Sequence, residues 1–444
     1  MTPETPQLRR ELRLWDLVLL NISAVVGVRW LSAAAHSGPG SITLWLLAAV
    51  FFFLPSALVV AGLSKRFPEE GGLYIWTKHA FGDWHAFLCA WFYFLANLIF
   101  FPALLVAGVA MASFMLGDAG SRFAENRLYT VPIAVAVLWA AFLANLLGLK
   151  WGKWAGNLGG ASTYSVAALL TCFGAWSFWR HGSATHLNIV PAVNFDSLNF
   201  WSQIAFAFAG LELGAILGGE IRQPGKTIPR AAAISGVACA TFYIAGTFAL
   251  LVLMPPAQIS ALTGLAQAGS VAGARLGATW LSPCFALLIS MGVVGQLGSW
   301  IAGIGRLPFA IGLDHHLPPV FARLHPRWGT PYAAILTEGV IATLFLLVMQ
   351  MGETLRAAYQ ILVDICVVTT FIPFLYIFAC GFKFGQRIAS TCGLIVSLGA
   401  IVLSVLPPPE VASVPVFELK VIGGCIALGL LGHLIFARGK ARWA

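Results

Sequence analysis

The residues best placed for chemistry in this sequence lie in two interrupted apolar segments, the first and the sixth along the chain. The first contains Gly27 and Arg29, and the sixth contains Gly210 and Glu212. A helix within lipid must satisfy its own backbone hydrogen bonds, so glycine and charge at mid-depth are costly unless they line a cavity in the protein. Breaks at matching positions in two halves of a chain indicate a substrate site in a transporter built from inverted repeats.

An unwound stretch within a membrane helix offers backbone groups to a bound molecule. The N–H groups that begin the second half-helix carry a partial positive charge and can bind a carboxylate. The carbonyl oxygens that end the first half-helix can hold an ammonium group. Because the backbone must approach the substrate closely, we expect Gly27 and Gly210 to tolerate no larger side chain.

The composition places these segments in a membrane protein that crosses the bilayer many times. Of its 444 residues, 59% are hydrophobic and only 10% are charged, whereas soluble proteins carry about 25% charged residues. Apolar segments of roughly 20 residues or more, long enough to cross the bilayer, recur along the chain. They predict twelve spans, at about 14–36, 40–63, 83–116, 129–149, 154–179, 200–221, 231–254, 277–305, 331–350, 357–382, 386–407 and 416–437.

The net charge of +9 indicates membrane topology rather than nucleic-acid binding. Arg29 lies within a span, six of the 26 Lys and Arg fall in loops on one side, and the other 19 fall on the side of the N-terminus. Lys and Arg collect in cytoplasmic loops, so both termini are predicted to be cytoplasmic. The six on the other side are Arg122, Arg127, Arg180, Arg275, Arg356 and Lys420.

Sequence motifs for other kinds of chemistry do not occur. The chain has no Walker A, GxSxG, HExxH or CxxC pattern, and its eight cysteines lie in apolar spans without close pairs, which favours packing over disulfides or metal binding. His315 and His316 lack a third ligand at suitable spacing, so we expect a solvated loop there. We therefore expect no metal, no cofactor and no enzymatic activity, which leaves secondary transport.

Polar residues in two other predicted spans extend the candidate site. Tyr93 and Asn97 lie four residues apart and therefore share one face of the third span. A polar stripe on an apolar helix is typical of the interior of a helix bundle. Asp364 is an acid within the tenth span, and an ionisable residue at such a depth is a functional candidate.

The charged residues of the two broken spans allow alternative interpretations. Arg29 either reaches the outer interface or pairs with Glu212 as a structural bridge, or it faces the cavity and selects a carboxylate-bearing substrate. Glu212 is either an ion-pair partner or a group that takes up a proton. Glu220 is expected to form a salt bridge with the neighbouring Arg222 or Arg230, with gating as the alternative.

Three blocks of this sequence resemble the amino acid–polyamine–organocation (APC) superfamily of permeases. They are FPEEGGLYIWTKHAFGDWHAF at 67–87, FAFAGLELGAILGGEIRQPGKTIPRA at 206–231 and LPPVFARLHPRWGTPYAAIL at 317–336. The resemblance runs nearly end to end and is most specific in the second block. It implies an all-α membrane protein with a five-plus-five inverted-repeat core, in which helices 1 and 6 are broken, and two extra C-terminal helices. The repeats would be residues 1–182 and 195–382, with helices 11 and 12 in 383–444.

The resemblance also implies a site between spans 1 and 6, flanked by spans 3, 8 and 10. Members of the superfamily typically have glycine, serine and glycine where this chain has Gly27, Val28 and Arg29. Val28 therefore lacks a hydroxyl that could contact a carboxylate, and Arg29 places a permanent cation in the position of a glycine. Phe206 and Trp300 match gating or substrate-stacking positions, because aromatic rings can cover a substrate and stack on cations.

The fifth span leaves the coupling ion open. Some members of the superfamily carry a lysine there that substitutes for a sodium ion, whereas this chain has Thr163 and Tyr164 and no lysine in the corresponding stretch. The residues predicted to bind substrate are Ser23, Ala24, Gly27, Val28, Arg29, Tyr93, Asn97, Phe206, Ala209, Gly210, Glu212 and Trp300. The gating or coupling candidates are Glu212, Glu220, Thr163 and Asp364.

Residues and resemblance together predict a secondary permease of the plasma membrane that moves an amino acid by alternating access, with protons or by exchange. A polyamine or other organic-cation permease is the alternative, which Arg29 disfavours because a buried cation repels a polycation. A sensor that binds amino acids without transport is a third interpretation, disfavoured because no polar segment is long enough for a signalling domain. The expected partners are an amino acid and the lipid bilayer, with no nucleic acid.

Overall fold

A computed structural model of the protein describes residues 10–443 apart from 125, 193, 350–354, 407–414, 416 and 417. Within that part the chain is helical, and β pairing is limited to one isolated bridge between Leu12 and Ile221. The predicted all-α class is therefore confirmed. Three predictions fall outside the described residues: the cytoplasmic position of Arg9, the end of the ninth span at 350 and the end of the eleventh span at 407.

The helices differ widely in length, from single turns to helices of about 30 residues. In chain order they are α1 Leu14–Val25, α2 Arg29–Ser37, α3 Ser41–Ala48, α4 Leu54–Arg66, α5 Leu73–Phe81, α6 Asp83–Ala112, α7 Arg127–Leu146, α8 Leu149–His181, α9 Phe195–Ala207, α10 Leu213–Ile216, α11 Pro224–Leu253, α12 Gly264–Leu276, α13 Leu281–Ile304, α14 Arg306–Leu313, α15 Tyr332–Met349, α16 Leu355–Lys383, α17 Arg387–Val405 and α18 Gly424–Trp443. A π-helical turn, Ala49–Phe53, joins α3 and α4 into one span, Ser41–Arg66.

Among the described residues, nine helical stretches are long and apolar enough to cross a membrane. The pair α1 and α2, bent by 45° at its break, makes a tenth when it is counted as one span. The predicted sixth span is divided between α9 and α10, and the predicted ninth corresponds to the shorter apolar helix Tyr332–Leu347 within α15. The architecture is that of a protein with many spans, and the count of twelve stays a prediction.

Both predicted helix breaks are present in the structure. The first separates the end of α1 at Val25 from the start of α2 at Arg29. The second separates the end of α9 at Ala207 from the start of α10 at Leu213. Within it, Gly210 has φ of 130°, a conformation that only glycine adopts without strain. The glycine that marked the break in the sequence is thus required by the backbone.

The seventh span begins earlier than the charge pattern predicts. Its expected start was residue 231, after the charged stretch, whereas α11 begins at Pro224. Proline suits the first turn of a helix because the N–H that it lacks would have no helical acceptor there. The helix ends at Leu253, just before Pro255 and Pro256, as the sequence predicts.

At one end of the helix bundle, two segments meet around the end of the sixth span. The backbone N–H groups of Glu11 and Leu12 both donate to the carbonyl of Glu220 at 3.0 Å. The loop between α4 and α5 lies on the other side, where the Gly71 N–H donates to the Ile216 carbonyl at 3.0 Å. We call this the inner end, because it carries the N-terminal segment that is predicted to be cytoplasmic.

Candidate functional site

The two helix breaks border a small closed cavity. Its volume is about 20 Å³, which leaves room for about one water molecule. The lining residues come from both breaks and from α6, α13 and α16, and they are Ala24, Val25, Trp30, Tyr93, Ala96, Asn97, Phe100, Phe206, Ala207, Ala209, Gln296, Trp300 and Thr370. An amino acid would fit only after the side chains or the half-helices move apart.

A tyrosine from the seventh span connects the two breaks. The hydroxyl of Tyr243, on α11, accepts a hydrogen bond from the Gly27 N–H at 2.9 Å. It lies 2.7 Å from the carbonyl of Val25 and 3.0 Å from the carbonyl of Ala207. A hydroxyl has one proton to donate, so it serves one of these two carbonyls at a time. Tyr243 therefore satisfies backbone groups that the helix breaks leave without helical hydrogen bonds.

The carbonyl of Ala24, one residue before the end of α1, is held from the eighth span. The Gln296 side-chain amide donates to it at 2.9 Å and the Trp300 indole N–H donates to it at 3.0 Å. These donors lie four residues apart on α13 and therefore share one face of that helix. Side chains of the protein thus occupy the backbone positions that were predicted to hold the two charged groups of a substrate.

Glu212 links the second break to the third span. Its carboxylate accepts a hydrogen bond from the Tyr93 hydroxyl at 2.7 Å and another from the Gly210 N–H at 3.0 Å. The side chain is buried. Asn97 shares this face of α6, and its amide donates to the Tyr93 carbonyl at 2.8 Å. The polar stripe predicted on the third span therefore does lie at the cavity.

Arg29 lies behind the wall of the cavity. It is 2% exposed, and its guanidinium carbon lies 4.6 Å from the ring centroid of Trp30 and 4.8 Å from that of Phe100. Both rings line the cavity, whereas Arg29 is not one of the lining residues. Such a cation–π contact contributes about 0.5–2 kcal/mol. Arg29 can therefore act on the cavity through its charge and by fixing the two rings.

Four aromatic rings close the cavity by packing edge to face or at a tilt. Trp30 and Phe206 come from the two breaks, and their ring centroids lie 5.7 Å apart in a T-shaped arrangement. Phe100 contacts both Phe206 at 6.3 Å and Trp300 at 5.7 Å. Such aromatic pairs contribute about 0.5–1.5 kcal/mol beyond the area that they bury. Opening this layer requires rearrangement of several modest contacts rather than one strong one.

Several predicted site residues lie near the breaks without lining the cavity. Ser23 is buried, and its hydroxyl has no hydrogen-bond partner within the described part of the chain. Val28 precedes the first residue of α2 and is buried. Thr163, on α8, lies where that helix approaches α13, since its hydroxyl would be 2.7 Å from a Cβ atom placed on Gly292. Asp364 is buried on α16.

Several residues that the structure places at the site were not predicted from the sequence, among them Gln296, Phe100 and Tyr243. Gln296 precedes the predicted Trp300 by four residues, so helical spacing was a usable signal for it. Phe100 lies three residues after the predicted Asn97 and continues the stripe on α6. No sequence pattern indicated Tyr243, because a single tyrosine within an apolar span does not show which helix break its side chain contacts.

The predicted partner of Glu220 was wrong. Its carboxylate contacts Arg306, whose Nε lies 2.7 Å away and whose side chain, like that of Glu220, is buried. The expected partners, Arg222 and Arg230, are exposed, and Arg222 donates to the Arg10 carbonyl instead. Arg306 is 86 residues away in the chain. Tertiary packing brings it to the inner end, which sequence proximity could not reveal.

Two more carboxylates face Arg306. Glu70, in the loop between α4 and α5, accepts a hydrogen bond from the Gly219 N–H at 2.6 Å. Burial and the neighbouring Glu220 raise the pKa of Glu70 to about 8, although Arg306 and the Gly219 N–H act in the opposite direction. Glu338, on α15, is fully buried and interacts electrostatically with Arg306. We call Glu70, Glu220, Arg306 and Glu338 the Arg306 cluster.

Similarity to known proteins agrees with this geometry. The profile of the amino acid permease family matches residues 12–407. The chain is 26% identical over 443 residues to an uncharacterised transporter of Legionella pneumophila subsp. pneumophila, which covers 94% of this chain and 95% of that protein.

Two relatives whose names include a substrate are similar over shorter lengths. One is a serine/threonine exchanger of Bacillus subtilis, 27% identical over 362 residues that cover 78% of this chain and 79% of that protein. The other is a probable agmatine/putrescine antiporter of Lactococcus lactis subsp. lactis, 25% identical over 344 residues that cover 77% and 72%. These relatives are transporters rather than enzymes. The chain belongs to the amino acid permease family and, through it, to the APC superfamily of membrane transporters.

Proposed function

We propose that this protein carries an amino acid across the plasma membrane by alternating access, in exchange for another solute or together with protons. The observation that carries the proposal is that two helix breaks meet at one closed cavity with both N–H and carbonyl groups at its edge. Membership of the amino acid permease family and the serine/threonine exchanger among its relatives support it.

The hydrogen bonds around the cavity suggest how a substrate is accepted. In the closed structure Tyr243 takes the Gly27 N–H, and Gln296 and Trp300 take the Ala24 carbonyl. A substrate carboxylate would replace the tyrosine at Gly27, and a substrate ammonium would replace a donor at Ala24. This exchange keeps the backbone groups satisfied both with and without substrate, as an apolar surrounding requires.

The charges near the cavity favour a neutral amino acid as the substrate. Arg29 lies within 5 Å of the centroids of two lining rings, and a buried cation there disfavours a polycation. Glu212 faces the break from the other side and disfavours a second carboxylate. A zwitterion with an uncharged side chain avoids both penalties. The agmatine/putrescine antiporter among the relatives makes a cationic substrate the alternative to test.

The proposal includes a membrane orientation. We place both termini and the inner end in the cytoplasm, because 19 of the 26 Lys and Arg are predicted to lie on that side. The proposed inverted repeats are residues 1–182 and 195–382, as the family resemblance implies. A cysteine at Arg323 in a cysteine-free variant should react with a membrane-permeant thiol reagent and not with an impermeant one added to cells. Reaction with the impermeant reagent would reverse the orientation.

Uptake by purified protein in liposomes tests the transport activity. The panel comprises labelled serine, threonine, glutamate, lysine, putrescine and agmatine, each with and without a proton gradient and with and without unlabelled solute inside. We expect uptake of a neutral amino acid, stimulated by the gradient or by the internal solute. Uptake of putrescine or agmatine alone would replace the proposal by the cation alternative, and binding without uptake would indicate a sensor.

A further inference from the structure

We propose that the Arg306 cluster is a proton-binding lock at the inner end of the transporter. In the closed arrangement the cluster holds a proton, and opening of the inner end releases it. The inference deepens the proposed function, on which it rests for the role of opening in transport. It concerns four residues that lie apart from the cavity between the helix breaks.

The cluster has more acids than its single cation can pair. Arg306 donates from Nε to Glu220 at 2.7 Å and from Nη1 to the Ala302 carbonyl at 2.6 Å. Glu70 and Glu338 face the same guanidinium electrostatically. If all three acids were ionised, the cluster would carry two uncompensated negative charges away from water. Burial strongly disfavours that arrangement, and binding a proton relieves it.

The oxygen atoms of the two further acids show where a proton can be held. Both carboxyl oxygens of Glu338 are buried without a hydrogen-bond partner among the described residues, and the side chain is fully buried. The Oε1 atom of Glu70 is likewise buried without a donor, whereas its Oε2 is held by the Gly219 N–H. Among the described residues, the charged groups that face Glu70 are Glu220 and Arg306, and the one that faces Glu338 is Arg306.

Glu70 is part of the contact that closes the inner end. Its loop lies so close to the end of the sixth span that a Cβ atom on Gly218 would be 2.6 Å from the Glu69 carbonyl oxygen. The Gly71 N–H to Ile216 hydrogen bond holds the same loop in place. The loop cannot separate from the sixth span without breaking the Glu70 to Gly219 contact. Opening therefore moves the half-buried side chain of Glu70, with its buried Oε1 atom, into water.

The direction of the pH effect follows from this change of environment. In the closed structure the pKa of Glu70 is about 8, against an ordinary value of 4.5 in water. The closed form therefore binds the proton more tightly than an opened form does. Its extra stability is fully present below the ordinary pKa and is lost as pH rises toward the raised one. Acid keeps the lock closed, and alkaline pH favours opening.

Thiol labelling tests the lock without substrate or transport. The backbone of Ala215 lies directly beneath the loop, since a Cβ atom on Gly72 would be 2.9 Å from its carbonyl carbon, and the residue is buried. An Ala215→Cys variant in a cysteine-free background reports opening through its rate of reaction with a water-soluble thiol reagent. A Glu69→Cys variant, at an exposed position of the same loop, corrects for the effect of pH on thiol chemistry.

We expect the corrected Ala215→Cys rate to rise severalfold between about pH 6 and about pH 9, on either side of the raised pKa of Glu70. Adding Glu70→Gln and Glu338→Gln together should remove this step and leave a slow rate, because glutamine mimics the protonated acid. The matched control combines Ala215→Cys with Glu69→Gln instead of the two cluster substitutions. In this control the rise of the labelling rate with pH should be unchanged.

Several outcomes would overturn the proposal. They are a corrected rate that does not change with pH, a step that survives the double substitution, and a step that follows sodium concentration at constant pH. If the double variant is too unstable to label, the melting temperature of the chain without added cysteines decides. It should fall with rising pH more steeply in the wild type than in Glu70→Gln, and equal slopes would reject the lock. Failure of the uptake panel would leave these readouts intact, so the two proposals fail separately.

Discussion

The cavity between the helix breaks and the Arg306 cluster solve the problem of buried polar groups in different ways. At the cavity, neutral side chains such as Tyr243 and Gln296 satisfy the freed backbone. At the inner end, Arg306 faces three buried or half-buried acids. Neutral hydrogen bonds contribute about 0.5–1.5 kcal/mol each, so a substrate can replace them one by one. Breaking a buried ion pair costs about 3–5 kcal/mol. The comparison suggests that recognition resides at the cavity and control of opening at the cluster.

The largest effect is expected from a larger side chain at Gly210, in the second break. Gly210→Leu must adopt φ of 130°, and its Cβ would lie 3.1 Å from a Val25 methyl carbon. Strain of about 1–3 kcal/mol and overpacking of similar size should lower uptake on the order of 100-fold. Uptake into liposomes measures this.

Gly399→Leu is the matched control for this substitution, because a Cβ atom on Gly399 meets no atom of the described residues within 4 Å. It should retain uptake. The amount of folded protein recovered from the membrane separates loss of transport from loss of folding. Normal uptake in Gly210→Leu would show that the second break does not form part of the site.

The next largest effect is expected at the cluster. Arg306→Gln leaves Glu220 buried without its cation, which should destabilise the protein by about 3–5 kcal/mol and lower its melting temperature. Adding Glu220→Gln should restore part of the loss, since it removes the unpaired charge. A double variant that melts no higher than the single one would contradict the idea that charge governs this region.

A smaller effect is expected when the hydroxyl of Tyr243, which connects the two breaks, is removed. Tyr243→Phe removes the hydroxyl that takes the Gly27 N–H and lies beside two carbonyls. Leaving such groups unsatisfied costs about 1–3 kcal/mol, so substrate affinity should change about tenfold. Equilibrium binding of the substrate identified by the uptake panel measures it.

Tyr164→Phe is the control for this link, because the Tyr164 hydroxyl has no hydrogen-bond partner in the described part of the chain. Binding should stay within about twofold of the wild type, since no hydrogen bond is lost. If Tyr243→Phe behaves like Tyr164→Phe, the hydroxyl does not position the breaks.

The smallest effect is expected from the charge of Arg29, which lies behind two aromatic rings that line the cavity. Arg29→Gln removes a cation that lies over Trp30 and Phe100, and this contact is worth about 0.5–2 kcal/mol. Inhibition of uptake by acidic competitors should weaken about threefold to tenfold relative to basic ones. Arg180→Gln, which removes an exposed arginine near Trp179, should leave this ratio unchanged. An unchanged ratio in Arg29→Gln as well would show that its charge does not reach the cavity.

The sequence predicted the parts of the site that have a local cause. Gly27 and Gly210 interrupt apolar runs, and a glycine is required at Gly210 by its positive φ. The spacing of Tyr93 and Asn97 placed them on one helix face, and both line the cavity. The predicted end of the seventh span at residue 254 lies one residue beyond the observed end of α11 at Leu253.

The sequence could not predict contacts that join distant parts of the chain. Tyr243 lies 216 residues from Gly27, and Arg306 lies 86 residues from Glu220. Neither distance leaves a periodic or compositional signal. The sequence therefore favoured a nearby arginine as the salt-bridge partner of Glu220. In the structure α14 packs against the inner end and provides Arg306 as the partner instead.

Protection of a cysteine by substrate tests the central claim most directly, that the cavity between the breaks holds the substrate. Ala209 lines the cavity from the second break, so Ala209→Cys in a cysteine-free, transport-active variant places a small reactive group there. The substrate identified by uptake should slow its modification in proportion to occupancy, while Glu69→Cys on the exposed loop stays unaffected. An Ala209→Cys variant that transports normally and reacts equally fast with saturating substrate would place the binding site elsewhere.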